Sequence, residues 1–152
     1  MEYITKGELN SNLEVFLKSK RIYHSTLTKK WFKSDVIKVY NSENSLLVEI
    51  KIKPFTNEYI LSYINNNLLN GKLFLKNSKK IIVNDELTFN YIKNCIPYKS
   101  NILLNQKEIA KVETKLLSFN HNHKITFSNE NKEHVKYSLI LFLISNTFLD
   151  LE

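Results

Sequence analysis

The only tryptophan of this 152-residue chain lies in a run of lysines, Thr28-Lys29-Lys30-Trp31-Phe32-Lys33. Lysine ammonium groups meet phosphates, and aromatic rings enter the boundary between headgroups and acyl chains. The segment therefore has the chemistry of an anionic-headgroup site. Residues 18–38 hold Lys18, Lys20, Arg21, Lys29, Lys30, Lys33 and Lys38 against Asp35 alone, a net of +6 in a chain of +7. A second group, Lys72, Lys76, Lys79 and Lys80, falls on an expected hairpin. The two groups would make one patch if the fold brought both to the same end. A plainer reading, and the commoner outcome for such residues, buries Trp31 and Phe32 as a core pair on a strand beside lysines that only solubilise. The candidate binding residues are Lys29, Lys30, Trp31, Lys33, Lys76, Lys79 and Lys80.

Catalytic constellations are sparse. Asp35 precedes Glu49-Ile50-Lys51 by a hairpin length. An acid followed by E-x-K is the skeleton of a Mg²⁺-dependent nuclease, in which two carboxylates hold the metal and the lysine activates water. The same E-x-K arises on the wet face of any lysine-rich strand, and the nuclease core needs flanking helices that this chain does not suggest. His121-Asn122-His123 would need His24 or His134 to complete a metal site, and a polar loop is the expected reading. Cys95, the single cysteine, allows no internal disulfide or cysteine-based zinc site, and no base is evident beside it. Two distant glycines, Gly7 and Gly71, exclude a glycine-rich phosphate cradle and a Gly-x-Ser-x-Gly elbow. No catalytic residue, metal or cofactor is assigned, and a non-enzymatic binding domain is expected.

Hydrophobic residues make up 43% and charged residues 24% of the chain, which excludes a disordered tail, a collagen or a coiled coil. At this length one domain spanning residues 1–152 is expected. The basic residues are 21 lysines and one arginine, and there are 20 asparagines, a bias that AT-rich codons produce. Readers of base edges rely on arginine, so sequence-specific nucleic acid is not an expected partner. The N-terminus lacks a basic stretch leading into an apolar one, so no signal peptide is read there. The longest apolar segment is Leu139 to Ile144, too short for a bilayer core about 30 Å thick. These features point to a cytoplasmic protein, free or peripheral at a membrane.

The elements that would position these residues are mostly strands. Leu46, Val48, Ile50 and Ile52 alternate with Leu47, Glu49, Lys51 and Lys53, a strand with one wet face. Residues 36–40 pair with it across Asn41-Ser42-Glu43-Asn44. Further strands are expected at 59–64, 73–75, 81–83, 87–92, 101–104, 108–113, 116–119 and 124–127. Alternation at Leu13, Val15 and Leu17, and at Ile22 and His24, suggests strands in the first thirty residues. The end of the chain differs. Ser128 or Asn129 can cap a helix over about 131–150, with Glu130 and Glu133 in its first turn. Six consecutive apolar residues make its middle apolar all round, so it must be enclosed, and the remaining material is β-structure. The fold class expected is mainly β, an antiparallel closed or nearly closed barrel of serial hairpins around a hydrophobic C-terminal helix.

Serial hairpins ending in one hydrophobic helix resemble the tubby-like barrel family, which includes phospholipid scramblases and the plant LURP-one-related proteins. The residues that carry the resemblance are 36–52, 101–112 and 136–149. It implies a closed barrel of about twelve strands threaded by the helix. Some members bind membrane phosphoinositides, and many bacterial members have no assigned activity. The expected function is binding of anionic phospholipid at a membrane surface. The alternative is a protein-binding module, such as a toxin-neutralising immunity protein or another inhibitor.

Overall fold

The structure is a computed structural model that describes residues 1–8, 11–93, 99–114 and 120–148. Among these residues twelve strands precede one helix: β1 Glu2–Glu8, β2 Leu13–Leu17, β3 Lys20–Thr28, β4 Asp35–Asn41, β5 Leu46–Ile52, β6 Tyr59–Ile64, β7 Leu73–Asn77, β8 Lys80–Val83, β9 Leu87–Lys93, β10 Lys99–Leu104, β11 Lys107–Thr114, β12 Asn120–Phe127 and α1 Lys132–Thr147. The strands form one antiparallel sheet in the order β6-β5-β4-β3-β2-β1-β12-β11-β10-β9-β8-β7. The first strand pairs with the last, with Glu2 opposite Thr126 and Glu8 opposite Asn120. The sheet curls into a nearly closed barrel, and β6 and β7 approach each other without a hydrogen-bonded ladder.

This topology assigns every connection to one of two ends. All neighbours are antiparallel, so connections after odd-numbered strands lie at one rim and those after even-numbered strands at the other. Residues 29–34, 53–58 and 78–79 share the first rim. The turns at 18–19, 42–45 and 84–86 and the entry to α1 share the second. α1 runs from the second rim to the first, where Ser145 Oγ donates to the Ser78 carbonyl and Ser25 Oγ meets Thr147 Oγ1 at 2.6 Å.

The enclosure expected of the C-terminal segment is present. Leu139, Ile140, Leu141, Phe142, Leu143 and Ile144 are all fully buried. Inward-facing Val15, Ile37, Val48, Ile50, Ile81, Phe89, Ile102, Val112 and Ile125 surround them. The helix begins later than the sequence suggested. Its cap is Asn131, whose Oδ1 accepts from Glu133 N at 3.1 Å and His134 N at 3.2 Å. Glu130 therefore lies outside the first turn. Asn146 and Thr147 satisfy their buried side chains within the helix, on the carbonyls of Phe142 and Leu143.

Most expected strands are present, with two differences. β1 went unread because its inward positions include Thr5 and Gly7, which carry no hydropathy signal. His121-Asn122-His123 belongs to β12 rather than a loop, because pairing with β1 supplies the partner that its polar composition hides. Cys95, Pro97 and the strand expected at 116–119 lie outside the described residues. The tight turns use no glycine. Lys18-Ser19 and Asn105-Gln106, which join paired strands, have both central residues at positive φ, as type I′ hairpins require. Glycine is spent on proximity instead: a Cβ on Gly71 would sit 2.7 Å from Tyr137 Oη and 2.9 Å from Val83 Cγ1.

Replacing Leu141 by aspartate places an unpaired carboxylate against the barrel core. The expected loss is several kcal/mol, a large part of a total stability of about 5–15 kcal/mol. Leu141→Asp should be unfolded or insoluble by circular dichroism and size-exclusion chromatography. Near-wild-type stability would mean that the helix is not enclosed.

Candidate functional site

Between β3 and β4 the chain leaves the barrel at Lys29 and returns at Asp35. Two backbone contacts shape this loop: Lys30 N donates to Asp35 Oδ1 at 3.1 Å, and Lys33 N to the Lys30 carbonyl at 3.4 Å. Trp31 and Phe32 are at its tip, 86% and 76% exposed, with their rings edge to face at 5.1 Å. The core-pair reading of these two residues is therefore overturned. No inward strand position is open to them, because the ladder of β3 ends at Thr28, opposite Val36. Next to this loop, between β5 and β6, Lys53 N donates to the Glu58 carbonyl at 2.9 Å and Asn57 N to the Lys53 carbonyl at 3.2 Å. That closed turn holds Phe55 outward, 92% exposed. Lys30, Trp31, Phe32, Lys33, Pro54 and Phe55 line a shared groove of about 330 Å³.

Phe32 and Phe55 have φ of 58° and 70°. A left-handed backbone costs an ordinary L-residue about 1–2 kcal/mol. A glycine at either position would remove that strain together with the ring. Two strained aromatics on adjacent loops, both turned to solvent, are not a packing solution, since neither ring is buried.

The lysine groups are sorted by the barrel's ends. Lys29, Lys30 and Lys33 share the first rim with Lys76, Lys79 and Lys80, which flank the Ser78-Lys79 turn of the β7–β8 hairpin. The loop at 53–58 stands between them and adds Lys53, paired with Glu58 at 3.3 Å. Among the described residues none of Lys29, Lys30, Lys33, Lys76, Lys79 or Lys80 forms an ion pair, so their charge faces solvent. The +6 stretch at 18–38 is not one surface. Lys18 and Lys20 border the β2–β3 turn at the second rim, a nine-residue strand of about 30 Å away. Arg21 is held by Glu14 at 3.1 Å. Lys72 also belongs to the second rim, 3.8 Å from Asp85. Sequence reasoning missed Lys53 and Phe55; the available signal was a proline that ends a strand, followed at once by an aromatic in a polar turn.

The other constellations do not assemble. Asp35 is opposite Ile52, and Glu49 is opposite Lys38. Ile52 and Glu49 are three residues apart on one strand, so Asp35 and Glu49 project to opposite faces. Glu49 accepts from Ser62 Oγ at 3.1 Å instead. His123 is buried, with Nδ1 2.8 Å from Thr114 Oγ1 and its ring against Phe142. His24 stacks on Tyr40 at 4.8 Å. No group of three or more metal-ligating side chains exists among the described residues. A cavity of about 350 Å³ does open beside the helix, at the second rim, between Tyr3, Leu17, Ile22, Tyr23, Val135 and Leu139. Burial, with Tyr3 and Glu133 nearby, pushes the Tyr23 hydroxyl up to about 12, so it stays protonated. Among the described residues no helix is long and apolar enough to cross a membrane.

No protein-family model, curated protein or solved structure matches the chain.

Replacing Phe55 by glycine should release left-handed strain. Stability in urea is expected to rise by about 0.5–1 kcal/mol. A loss of more than that amount would show that the ring packs against the protein. A second prediction concerns pH. Burial, then Arg21, lowers the His24 pKa below its ordinary 6.5, with Glu14 opposing. The unfolded chain takes up this proton near 6.5 and the folded chain only at lower pH. Stability is therefore fully present above 6.5 and declines as pH falls below it. Urea midpoints at pH 7.5 and 5.5 should differ for the wild type and differ less for His24→Gln. An equal drop in both would remove His24 as the cause.

Proposed function

We propose that this barrel binds anionic membrane surfaces through its first rim, with Trp31, Phe32 and Phe55 entering the interface and Lys29, Lys30, Lys33, Lys76, Lys79 and Lys80 meeting lipid phosphates. The observation that carries the reading is the exposure of three large aromatics, each at least 76%, on adjacent loops among lysines without ion-pair partners. Single exposed apolar residues are ordinary, but a cluster of aromatics is the kind of patch that marks an interaction site. The aromatic and cationic components are complementary at a bilayer. Rings gain by leaving water at the headgroup boundary, and each lysine near an anionic surface contributes about 1 kcal/mol. The backbone strain at Phe32 and Phe55 fits this use, because strain at a surface loop accompanies a conformation kept for function. The reading agrees with the phosphoinositide-binding members of the tubby-like barrels that the hairpin-and-helix pattern resembles. It requires no catalytic group and no cofactor.

Trp31 is the only tryptophan, so intrinsic fluorescence reports on the loop itself. With anionic vesicles the emission should shift to the blue and resist acrylamide quenching; with neutral vesicles it should do neither. Co-sedimentation should require anionic lipid and fall as salt rises. Lys29→Glu/Lys30→Glu/Lys33→Glu should weaken binding at least a hundredfold, since three contributions of about 1 kcal/mol are lost. Trp31→Ala/Phe32→Ala/Phe55→Ala should weaken it while leaving the salt dependence in place. A wild type that stays in the supernatant with anionic vesicles at low salt, its emission unchanged, would sink the proposal.

A further inference from the structure

Eleven antiparallel pairings link the twelve strands in one continuous series, and only the step from β6 to β7 lacks one. An odd number of reversals leaves β6 and β7 antiparallel to each other, so direction alone does not prevent closure. The connection between them does. Residues 65–72 form no tight hairpin. Asn65 Nδ2 donates to the Leu46 carbonyl at 3.0 Å, and the Asn65 carbonyl accepts from Leu69 N at 2.9 Å. Leu69 is then buried, and Gly71 passes under Tyr137. A gap remains between the two edges. A groove of about 610 Å³ lies there, lined by residues 57–61 on one side and 73–78 on the other.

This seam has the features of a strand-docking site. The β7 edge offers main-chain donors and acceptors that no strand of the barrel uses, the usual template for an added strand. Its inner walls are apolar, with Leu73 and Leu75 of β7 and Leu61 of β6 lining it, and outside it stand Phe74, 54% exposed on β7, and Ile60, 37% exposed on β6. Natural edges are ordinarily blunted by proline or a bulge on the exposed side. β7 has no proline, and its bulge faces β8, on the paired side, between Leu75 and Asn77. The charge is one-sided. Lys76, Lys79 and Lys80 flank the β7 end of the groove, whereas Glu58, the acidic residue on the β6 side, is already paired with Lys53.

We infer that the β7 edge is a docking site for an extended segment of a protein partner, one that alternates apolar and acidic residues. The segment would add to β7 as a strand. Its apolar side chains would turn inward beside Leu73 and Leu75, and its carboxylates outward, where Lys76, Lys79 and Lys80 stand. β7 has five residues, so the paired stretch would be about 17 Å long.

The test uses the full chain without lipid and a fluorescein-labelled ten-residue peptide alternating valine and glutamate. Saturable binding is expected by fluorescence polarisation, with slowed amide hydrogen exchange in β6 and β7. N-methylation of every second peptide amide should abolish binding, because main-chain pairing is lost while charge is kept. Lys76→Glu/Lys79→Glu/Lys80→Glu should weaken it at least tenfold; Lys76 and Lys79 are exposed and Lys80 is half-buried. Trp31→Ala/Phe32→Ala/Phe55→Ala should leave it unchanged, which separates this site from membrane binding. Equal binding of the N-methylated peptide would reduce the interaction to surface charge and overturn the proposal. So would absence of binding at millimolar peptide. A dimer in sedimentation velocity, dispersed by Ile60→Lys/Phe74→Lys, would assign the seam to a second copy and likewise overturn it.

Discussion

Six consecutive apolar side chains, Leu139 to Ile144, leave no face of α1 that water can wet, and all six are fully buried. Burying side chains of this kind is worth about 1.5–3 kcal/mol each. Their sum is comparable to the whole net stability of a domain of this size. One face of a flat sheet would cover half of such a helix. Complete cover requires the sheet to curl round, and the curl brings β1 against β12. That pairing of chain beginnings with chain ends is the long-range contact on which the barrel depends. It also decides which hairpins share a rim, and so which side chains can act together.

The strands were legible where one face is apolar and the other wet, as in Val48–Ile52; Leu47, read on the wet face, is buried instead, because the register shifts there and Tyr40 pairs with Leu46. They were illegible where the inward positions are Thr5 and Gly7, or where β12 carries His121-Asn122-His123. In those places pairing, not side-chain hydropathy, makes the strand. The turns were legible as asparagine-rich punctuation without glycine. The rim was only half legible. Composition marked Lys29 to Lys33, but hydropathy ranks tryptophan and phenylalanine as core, and nothing local says that β3 has already ended at Thr28. That residues 76–80 join the same rim, and that residues 18–21 do not, follows from strand direction in the assembled sheet. No local pattern encodes it.

The unjoined step between β6 and β7 follows from the same economy. A tight hairpin there would close the barrel but give up the segment at 65–72, whose Leu69 is buried at the second rim and whose Gly71 admits Tyr137 of the helix. Core packing against α1 is thereby favoured over one more ladder. Few main-chain hydrogen bonds are forgone, each worth only about 1 kcal/mol net in water. The unpaired edges remain wet, so they are not buried without partners.

The two ends of the barrel are built differently, and the helix explains why. At the second rim the chain must enter the barrel, so that end is occupied by the Asn131 cap and by Tyr3, Tyr23 and Val135 around the helix entry. At the first rim α1 is anchored by Ser145 to the β7–β8 turn and by Thr147 to β3. The flanking loops at 29–34 and 53–58 carry none of the core packing. They are free to hold aromatic side chains in left-handed conformations that a core position would not tolerate, at a cost of about 1–2 kcal/mol each. The stability to meet that cost comes from the enclosed helix, while the residues that incur it face solvent. A surface that combines strain, exposed rings and uncompensated positive charge is therefore located where the fold can sustain it without weakening its core.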